Sequence, residues 1–481
     1  MFPRSLCAWS TALTALIAFL AGCGPPNPAT SSSGEKTRSI PQLTVLVVDD
    51  PALGDKIKSE WRSHTEEEVS IRQITGKEIA GASRLPGDLI VFPAGQLGEL
   101  AEAGLLAPIS ERTLENDAFA LRDIYKNLRL REMKWGEKVM ALPLGSPQLV
   151  LVYRADIFEK LKIEPPQTWT EYDALAVRLA NRAELGDLAP AADVPWRGAA
   201  VPLAPGYAGQ LLLARSAAYA GHKEQISPLL ELTTLKGLVH QPPYEKALTE
   251  MAAAEKLNGT LPPLNPAEAY REICQGHCAM AITWPTSAIK VATATDKSQT
   301  LGFAELPGAR EVYDFGGQKW QERGADEETR VPLLAVSGRM VSVTSTSSEQ
   351  TAAENMAAWL VGSEVAAQIS PANPNTTLFR ISQEPDAGQW MGNVSENGKR
   401  QYVAVLRQSQ ERPQFSLGIR LPGRLDYLAA LDQAVLDALQ GKKSPEESLA
   451  AAAAAWDKIT AARGLESQKV ALERSLGLKK E

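Results

Sequence analysis

The first side chains that could do chemistry are two neighbouring carboxylates, Asp49 and Asp50, directly after an apolar run. That run, residues 43–48, is typical of a strand covered on both faces, and a second strand is predicted at 69–74 after a helix. Two strands separated by a helix predict a βαβ unit and a parallel sheet. Because open parallel sheets bind ligands beyond the carboxyl ends of their strands, both carboxylates are candidate ligand-binding residues. A plain turn at Asp-Asp-Pro is the alternative.

Motifs that would support catalysis are missing from the sequence. It contains no Gly-x-Ser-x-Gly, no P-loop, no HExxH and no Gly-x-Gly-x-x-Gly. Carboxylates are plentiful, but their spacing singles out no pair, so the residues alone leave a two-carboxylate glycosidase open. Four histidines argue against a multi-histidine metal site, and neither a metal nor a cofactor is predicted.

The length and composition are those of a soluble globular protein. A chain of 481 residues predicts about two or three domains. Its residues are 44% apolar and 22% charged, which is ordinary for a folded protein with a large core. The net charge of −7 gives no electrostatic case for nucleic acid, which requires a concentrated basic face.

The N-terminal residues predict export. Arg4 precedes an apolar stretch at 6–20 that is too short for a membrane span and is typical of a signal peptide. The stretch ends in Leu-Ala-Gly-Cys, which resembles a bacterial lipobox and implies that 1–22 is removed and Cys23 is lipidated. A plain signal peptide cut near Ala21 is the alternative. Residues 23–39, rich in Pro, Ser and Gly, are then a lipid-anchored tether.

Cys274 and Cys278 would be the two thiols left after processing, since Cys7 is removed and Cys23 lipidated. Their CQGHC sequence is not a haem attachment motif, and one histidine beside two cysteines is too little for zinc. An oxidising compartment favours a disulfide between them. A helix end followed by a strand start can bring two Cα atoms within the roughly 4.4–6.8 Å that this bond tolerates. The alternative is two small buried apolar residues.

The stretch that organises the chain covers residues 138–180. It predicts a buried strand at 149–153, a short helix at 155–161, and a second helix capped by Thr168. The sequence LVLVYRADIFEKLKIEPPQTWTEY resembles the signature of family 1 extracellular solute-binding proteins, which include the maltose-binding protein. Arg154 stands where that family usually has Asn. In the family this segment makes the first crossing between two lobes.

Other segments resemble the same family. They are GDLIVFPAGQLGELAEAGLLAPIS at 87–110, EAYREICQGHCAMAITWPTSAI at 268–289, LGFAELPG at 301–308 and ALQGKKSPEESLAAAAAAWDKIT at 438–460. The third of these corresponds to the return crossing to the first lobe. Residues 310–330 are polar and rich in glycine, and we interpret them as an insertion or a long surface loop.

The resemblance implies an α/β, two-lobed periplasmic-binding-protein-like fold of class II, with a ligand cleft between the lobes and several hinge crossings. The first lobe would comprise 40–146 and 305–342, and the second 147–304 and 343–481. The implied function is that of a lipoprotein at the cell envelope, on the periplasmic or extracellular face. It would deliver a solute, foremost a carbohydrate, to the permease subunits of an ABC transporter, without catalysis. A secreted lipoprotein enzyme or sensor that reuses the fold is the alternative.

The resemblance also implies which rings face the cleft. They are Phe92 at a strand end, Tyr207 in a loop, Trp284 in the turn after a strand, and Tyr427. The apolar face of a sugar can stack on such a ring at the mouth of a cleft. Trp284 stands two positions before the family's usual Trp, so hinge packing is its alternative. For Phe92 the alternative is a place in the core.

Overall fold

The computed structural model describes residues 41–258, 262–287, 300–392 and 394–479. The predicted signal peptide, lipidated Cys23 and tether therefore lie outside the described residues. In the described part, no helix is both long enough and apolar enough to cross a membrane. The described strands are β1 (Thr44–Val48), β2 (Ser70–Ile74), β3 (Leu89–Pro93), β4 (Leu106–Ala107), β5 (Lys134–Trp135), β6 (Lys138–Val139), β7 (Leu142–Gly145), β8 (Val150–Arg154), β9 (Arg197–Ala200), β10 (Cys278–Thr283), β11 (Leu301–Ala304), β12 (Glu311–Asp314), β13 (Lys319–Glu322), β14 (Leu333–Leu334), β15 (Arg339–Thr344) and β16 (Ser416–Leu417).

Helices surround these strands and supply most of the remaining core. Thr168 caps its helix as predicted, because its side chain accepts a hydrogen bond from Glu171 N at 3.3 Å. The described α-helices are α1 (Pro51–Thr65), α2 (Gly76–Ile79), α3 (Leu97–Glu102), α4 (Glu111–Leu114), α5 (Ala155–Leu161), α6 (Trp169–Ala180), α7 (Arg182–Leu185), α8 (Ala208–Ala220), α9 (Pro242–Asn258), α10 (Pro266–Cys274), α11 (Gln350–Leu360), α12 (Ser363–Ile369), α13 (Gly388–Met391), α14 (Glu396–Glu411), α15 (Arg424–Leu439), α16 (Pro445–Arg463) and α17 (Leu465–Leu476).

The first sheet has the strand order β2-β1-β3-β15-β4, and β7 also pairs with β15. Strand β1 runs parallel to β2 and β3, so the predicted βαβ unit is present. Strand β15 returns antiparallel to β3. The apolar side chains of β1 and β3 are buried on both faces of this sheet, which explains their near-continuous hydrophobic sequences.

The second sheet has the order β11-β8-β10-β9. Its central strand β8 is antiparallel to both β10 and β11, whereas β9 is parallel to β10. Every residue of β8 and β10 is buried. The chain crosses from the first sheet to the second at 146–149, between β7 and β8, and it returns between β11 and β15.

Helix α11 packs against β15 and β7 of the first sheet. Its buried residues Ala353, Met356 and Leu360 share an apolar cluster with Val341 and Val343 of β15. The boundary predicted at 343 would instead place this helix in the second lobe. An amphipathic helix pattern shows that one face is buried, but it does not show which sheet covers that face.

Residues 310–330 differ from the expected loop, because β12 and β13 form an antiparallel hairpin. Asp314 Oδ1 accepts a hydrogen bond from Gly317 N at 2.9 Å and so stabilises the turn. The Trp320 ring lies 6.0 Å from the Tyr219 ring of α8, at an interplanar angle of 86°. The hairpin is therefore held against α8 by packing between aromatic rings, which the polar composition of 310–330 did not indicate.

Candidate ligand-binding site

The carboxyl end of β1 holds the two predicted carboxylates in different surroundings. Asp49 is exposed, has a φ of 50°, and accepts a hydrogen bond from Gly76 N at 3.0 Å. Asp50 is 7% exposed, and its Oδ1 caps the first turn of α1. The other oxygen, Oδ2, accepts a hydrogen bond from Asn373 Nδ2 and lies 3.4 Å from Arg339 Nε. Asp50 is thus both a helix cap and part of a buried polar cluster.

Arg339 opens β15 and lies beside the end of β1. It is 7% exposed, and its Nη1 donates to Val48 O at 2.8 Å. Burial lowers the pKa of this guanidinium, while the nearby Asp50 and Asp49 act in the opposite direction. The carboxylate of Asp50 therefore compensates a cation that has lost most of its contact with water.

The segment 373–375 joins this cluster to two of the predicted rings. Asn373 Oδ1 accepts a hydrogen bond from Asn375 N at 2.6 Å, and Asn375 Oδ1 accepts one from Tyr207 OH at 3.3 Å. Trp284 Nε1 donates to Pro374 O at 2.9 Å. Tyr207 directly precedes α8, and Trp284 directly follows β10. Hydrogen bonds to the segment 373–375 therefore come both from the end of the first sheet, through Asp50, and from the end of the second, through Trp284.

Tyr207 and Trp284 form an aromatic pair, with ring centroids 6.2 Å apart and an interplanar angle of 58°. Trp284 is fully buried, whereas Tyr207 is only partly buried. Burial raises the pKa of the Tyr207 hydroxyl, and Arg424 and Arg339 oppose that shift. The hydroxyl consequently stays protonated at neutral pH and can donate. Trp284 supports Tyr207 from the interior, and the predicted alternative for Trp284, packing near the hinge, matches its burial.

Arg424, the first residue of α15, approaches the end of β3 from the other side. A Cβ on Gly95 would lie 2.3 Å from Arg424 Nε, so a side chain at position 95 would displace the guanidinium of Arg424. Arg424 Nη2 donates to Val336 O at 3.2 Å. Burial lowers the pKa of the guanidinium to about 10, and the nearby Tyr207 and Asp432 oppose the shift. The site thus contains two arginines, Arg339 and Arg424, close to one tyrosine.

Sequence reasoning missed four of these residues. Arg339 could have been chosen as a candidate from the sequence, because a charged residue at the start of an apolar strand lies where the strands of the sheet end. Asn373 and Asn375 lie in a segment, SPANPNTT, that reads only as a turn. Arg424 begins α15, and its place in the site depends on its approach to the distant residue Gly95.

Phe92 and Tyr427 do not belong to this cluster. Phe92 is fully buried in β3, where it pairs with Met340 of β15, and the alternative of a core residue is the one that the structure shows. Tyr427 is also fully buried. Its ring lies 5.5 Å from Trp456 at 87°, and its hydroxyl shares a 2.7 Å hydrogen bond with Thr460. Tyr427 therefore joins α15 to α16 and is a packing residue.

Cys274 ends α10 and Cys278 begins β10, and both are free and buried. The predicted disulfide is absent from this structure, which instead shows the alternative of two small residues in the core. Burial raises the pKa of the Cys274 thiol to about 12, and it raises the pKa of Cys278 as well. Both thiols are therefore neutral and protected from solvent. In the described part of the chain, no group of three or more His, Cys, Asp or Glu could hold a metal ion.

Two sheets joined by crossing segments, with polar and aromatic side chains meeting between their ends, define a two-lobed binding protein. The chain belongs to the bacterial extracellular solute-binding protein family, whose model matches residues 49–367. This membership confirms the resemblance that was stated from the sequence.

Solved structures of ABC transporter solute-binding proteins share the fold. The Agrobacterium radiobacter K84 protein in complex with ribitol has a TM-score of 0.63 and 16% identity, over 87% of this chain and 98% of that one. The Thermotoga lettingae protein bound with α-D-tagatose has a TM-score of 0.62 and 18% identity, over 87% of this chain and 99% of that one. The Thermus thermophilus maltotriose-binding protein, bound with maltotriose, has a TM-score of 0.58 and 19% identity, over 87% of this chain and 100% of that one. The predicted two-lobed α/β fold is thereby confirmed.

Proposed function

We propose that this protein is the lipid-anchored receptor of an ABC importer and binds a carbohydrate or another polyhydroxylated solute. The observation that carries the proposal is the meeting of Tyr207 with the hydrogen-bonded Asp50, Asn373 and Asn375 between the two sheets. A sugar needs both kinds of group, since its ring face packs on an aromatic side chain and its hydroxyls require polar partners. Arg339 adds a charged donor beside the same carboxylate.

The comparisons support this class of ligand. The similar structures hold ribitol, α-D-tagatose and maltotriose, which are all polyhydroxylated. Family membership also supports binding without catalysis and an exported location. The permease partner and the lipid anchor are further parts of the proposal, and the anchor follows from the lipobox-like residues that end at Cys23.

The geometry suggests how a ligand would act on the two lobes. We assign β1, β3 and β15 to the first lobe together with α11, and β8 and β10 to the second. Asp50 and Tyr207 then stand on different lobes, joined by Asn373 and Asn375. A solute that bonds to both side chains stabilises one arrangement of the lobes, and the permease would recognise that arrangement. Such a shift requires different affinities for the open and closed forms.

A thermal-shift screen tests the ligand class. Ribitol, mannitol, tagatose and maltotriose are compared with amino acids and short peptides. A true ligand at a hundredfold excess over its Kd stabilises the folded state by about 2.7 kcal/mol, which gives a clear rise in Tm. A rise with amino acids or peptides, and with no sugar or polyol, would overturn the carbohydrate proposal.

Tyr207→Ala is expected to weaken binding of the identified solute about tenfold, since loss of ring packing near 1.4 kcal/mol corresponds to that factor. Tyr207→Phe should keep the packing and lose the hydroxyl that donates to Asn375. Isothermal titration calorimetry measures both. Tyr427→Phe is the matched control, because it also deletes one hydroxyl but lies between α15 and α16. Equal affinities for wild type, Tyr207→Ala and Tyr427→Phe would place the ligand elsewhere.

Cys23→Ser is expected to move the protein from the membrane fraction to the soluble exported fraction, because the substituted residue has no thiol to carry a lipid. Fractionation followed by immunoblotting measures the distribution. Cys7→Ser, which alters a residue of the predicted signal peptide, is the control and should leave the protein with the membrane. Wild-type protein found entirely in the soluble exported fraction would contradict the anchor.

A further inference from the structure

A second cavity, of about 600 Å³, lies apart from the site around Tyr207 and Asp50 and shares no lining residue with it. Three parts of the chain enclose it: residues 221–230 after α8, residues 413–421 around β16, and the last turn of α17. Its volume falls within the roughly 300–1,000 Å³ that is usual for small-molecule sites. The cavity is therefore large enough for a ligand of its own.

Much of the cavity wall is apolar. Leu229, Leu230 and Leu472 are buried side chains that line it, and Phe415 adds an aromatic ring. Ile226 also lines the cavity and is 57% exposed, so its apolar side chain is open to solvent at this site. An apolar group that entered here would remove these surfaces from water, which is favourable in proportion to the area covered.

The charges around this wall have one sign. The charged residues that line the cavity are Arg131, Lys223 and Arg420, and none of the described lining residues is acidic. Arg420 is fully engaged, because it donates to the backbone carbonyls of Arg131, Glu132 and Lys134 at 2.8–3.1 Å. Lys223 Nζ lies 3.6 Å from Glu327 Oε1. These two cations therefore already have partners.

Arg131 differs from them. Its guanidinium carbon stands 5.3 Å from the centroid of the Phe415 ring, and within the described ranges no carboxylate forms an ion pair with it. An arginine above an aromatic face is held in place but keeps donors for an anion. An unpaired cation beside an apolar wall is suited to a molecule that has a carboxylate at one end and hydrocarbon at the other.

We infer that this cavity is a second binding site, specific for a small amphipathic carboxylate such as a medium-chain fatty acid. The carboxylate pairs with Arg131, and the hydrocarbon chain packs against Leu229, Leu230 and Phe415. Because the cavity and the solute site share no residue, the carboxylate does not compete with the solute for contacts.

Sodium octanoate is the probe, titrated calorimetrically into the full-length protein, with 1-octanol and octylammonium as matched comparators. Octanoate is expected to bind once per chain and more tightly than either comparator. Arg131→Gln should weaken octanoate about tenfold and leave 1-octanol unchanged, since an ion pair of about 1.4 kcal/mol is lost. Arg131 is exposed, so the variant should keep the wild-type Tm, and this is checked by calorimetric melting.

Arg129→Gln is the matched control. It makes the same change in charge two positions away, but Arg129 lines a different cavity. Octanoate affinity should be unchanged in this variant and in Tyr207→Ala. The inference is overturned if octanoate shows no saturable binding, if both arginine variants lose the same affinity, or if Tyr207→Ala abolishes octanoate binding, which would locate it in the solute site.

Discussion

Replacing Asp50 by Ser is expected to lower the free energy of unfolding by about 3–5 kcal/mol, because one partner of a buried ion pair is removed. Arg339, itself 7% exposed, would keep its charge without the carboxylate 3.4 Å away. The Ser hydroxyl can still cap α1, so loss of the cap is excluded as the main cause. Asn373 would also lose the acceptor for its side-chain amide. Urea denaturation followed by circular dichroism measures the change.

Asp49→Asn is the control for this experiment. Asp49 is exposed and has a left-handed φ of 50°, which Asn tolerates well, so the change should stay within about 0.5 kcal/mol. Both variants lose one negative charge at the same end of β1. If Asp50→Ser and Asp49→Asn are equally stable, the contact between Asp50 and Arg339 does not compensate a buried cation.

Elements defined by local patterns could be predicted from the sequence. Helix α5 has the predicted bounds, and strand β8 begins and ends one residue later than predicted, because each is a short amphipathic or apolar run that depends little on distant contacts. Asp50 was singled out as a candidate from a local pattern, because it is a polar residue directly after a buried strand. Open parallel sheets bind ligands beyond the carboxyl ends of their strands, so polar residues at these positions can be chosen as candidates from the sequence.

Contacts between distant segments could not be predicted. Phe92 lies one residue before the end of β3, but whether a ring there is open or covered depends on β15, whose Met340 lies beside it. Asn373 and Asn375 belong to no periodic pattern. They are part of the candidate site only because the fold places them between Asp50 and Tyr207. Family signatures located the strands and helices well, while the side chains that meet between them were set by packing.

A second buried ion pair lies where the chain leaves β11. Arg412 Nε and Nη2 donate to the two carboxylate oxygens of Glu305 at 2.8 and 2.6 Å. Each side chain is 6% exposed, and Ser409 Oγ donates to the same carboxylate at 3.0 Å. Arg412 also pairs with Glu328, which is half exposed. This pair therefore joins the return crossing after the second sheet to the segment that follows α14.

Arg412→Leu is expected to lower the free energy of unfolding by about 3–5 kcal/mol, because Glu305 would stay buried without its main partner. Combining it with Glu305→Gln should recover part of the loss, since a neutral amide is less costly to bury than an unpaired carboxylate. Arg407→Leu is the control: Arg407 makes the same two-pronged contact with Glu384 but is 45% exposed, so its loss should be at most about 1 kcal/mol. Urea denaturation of all variants measures their free energies of unfolding. Equal losses for Arg412→Leu and Arg407→Leu would show that burial does not set the strength of these contacts.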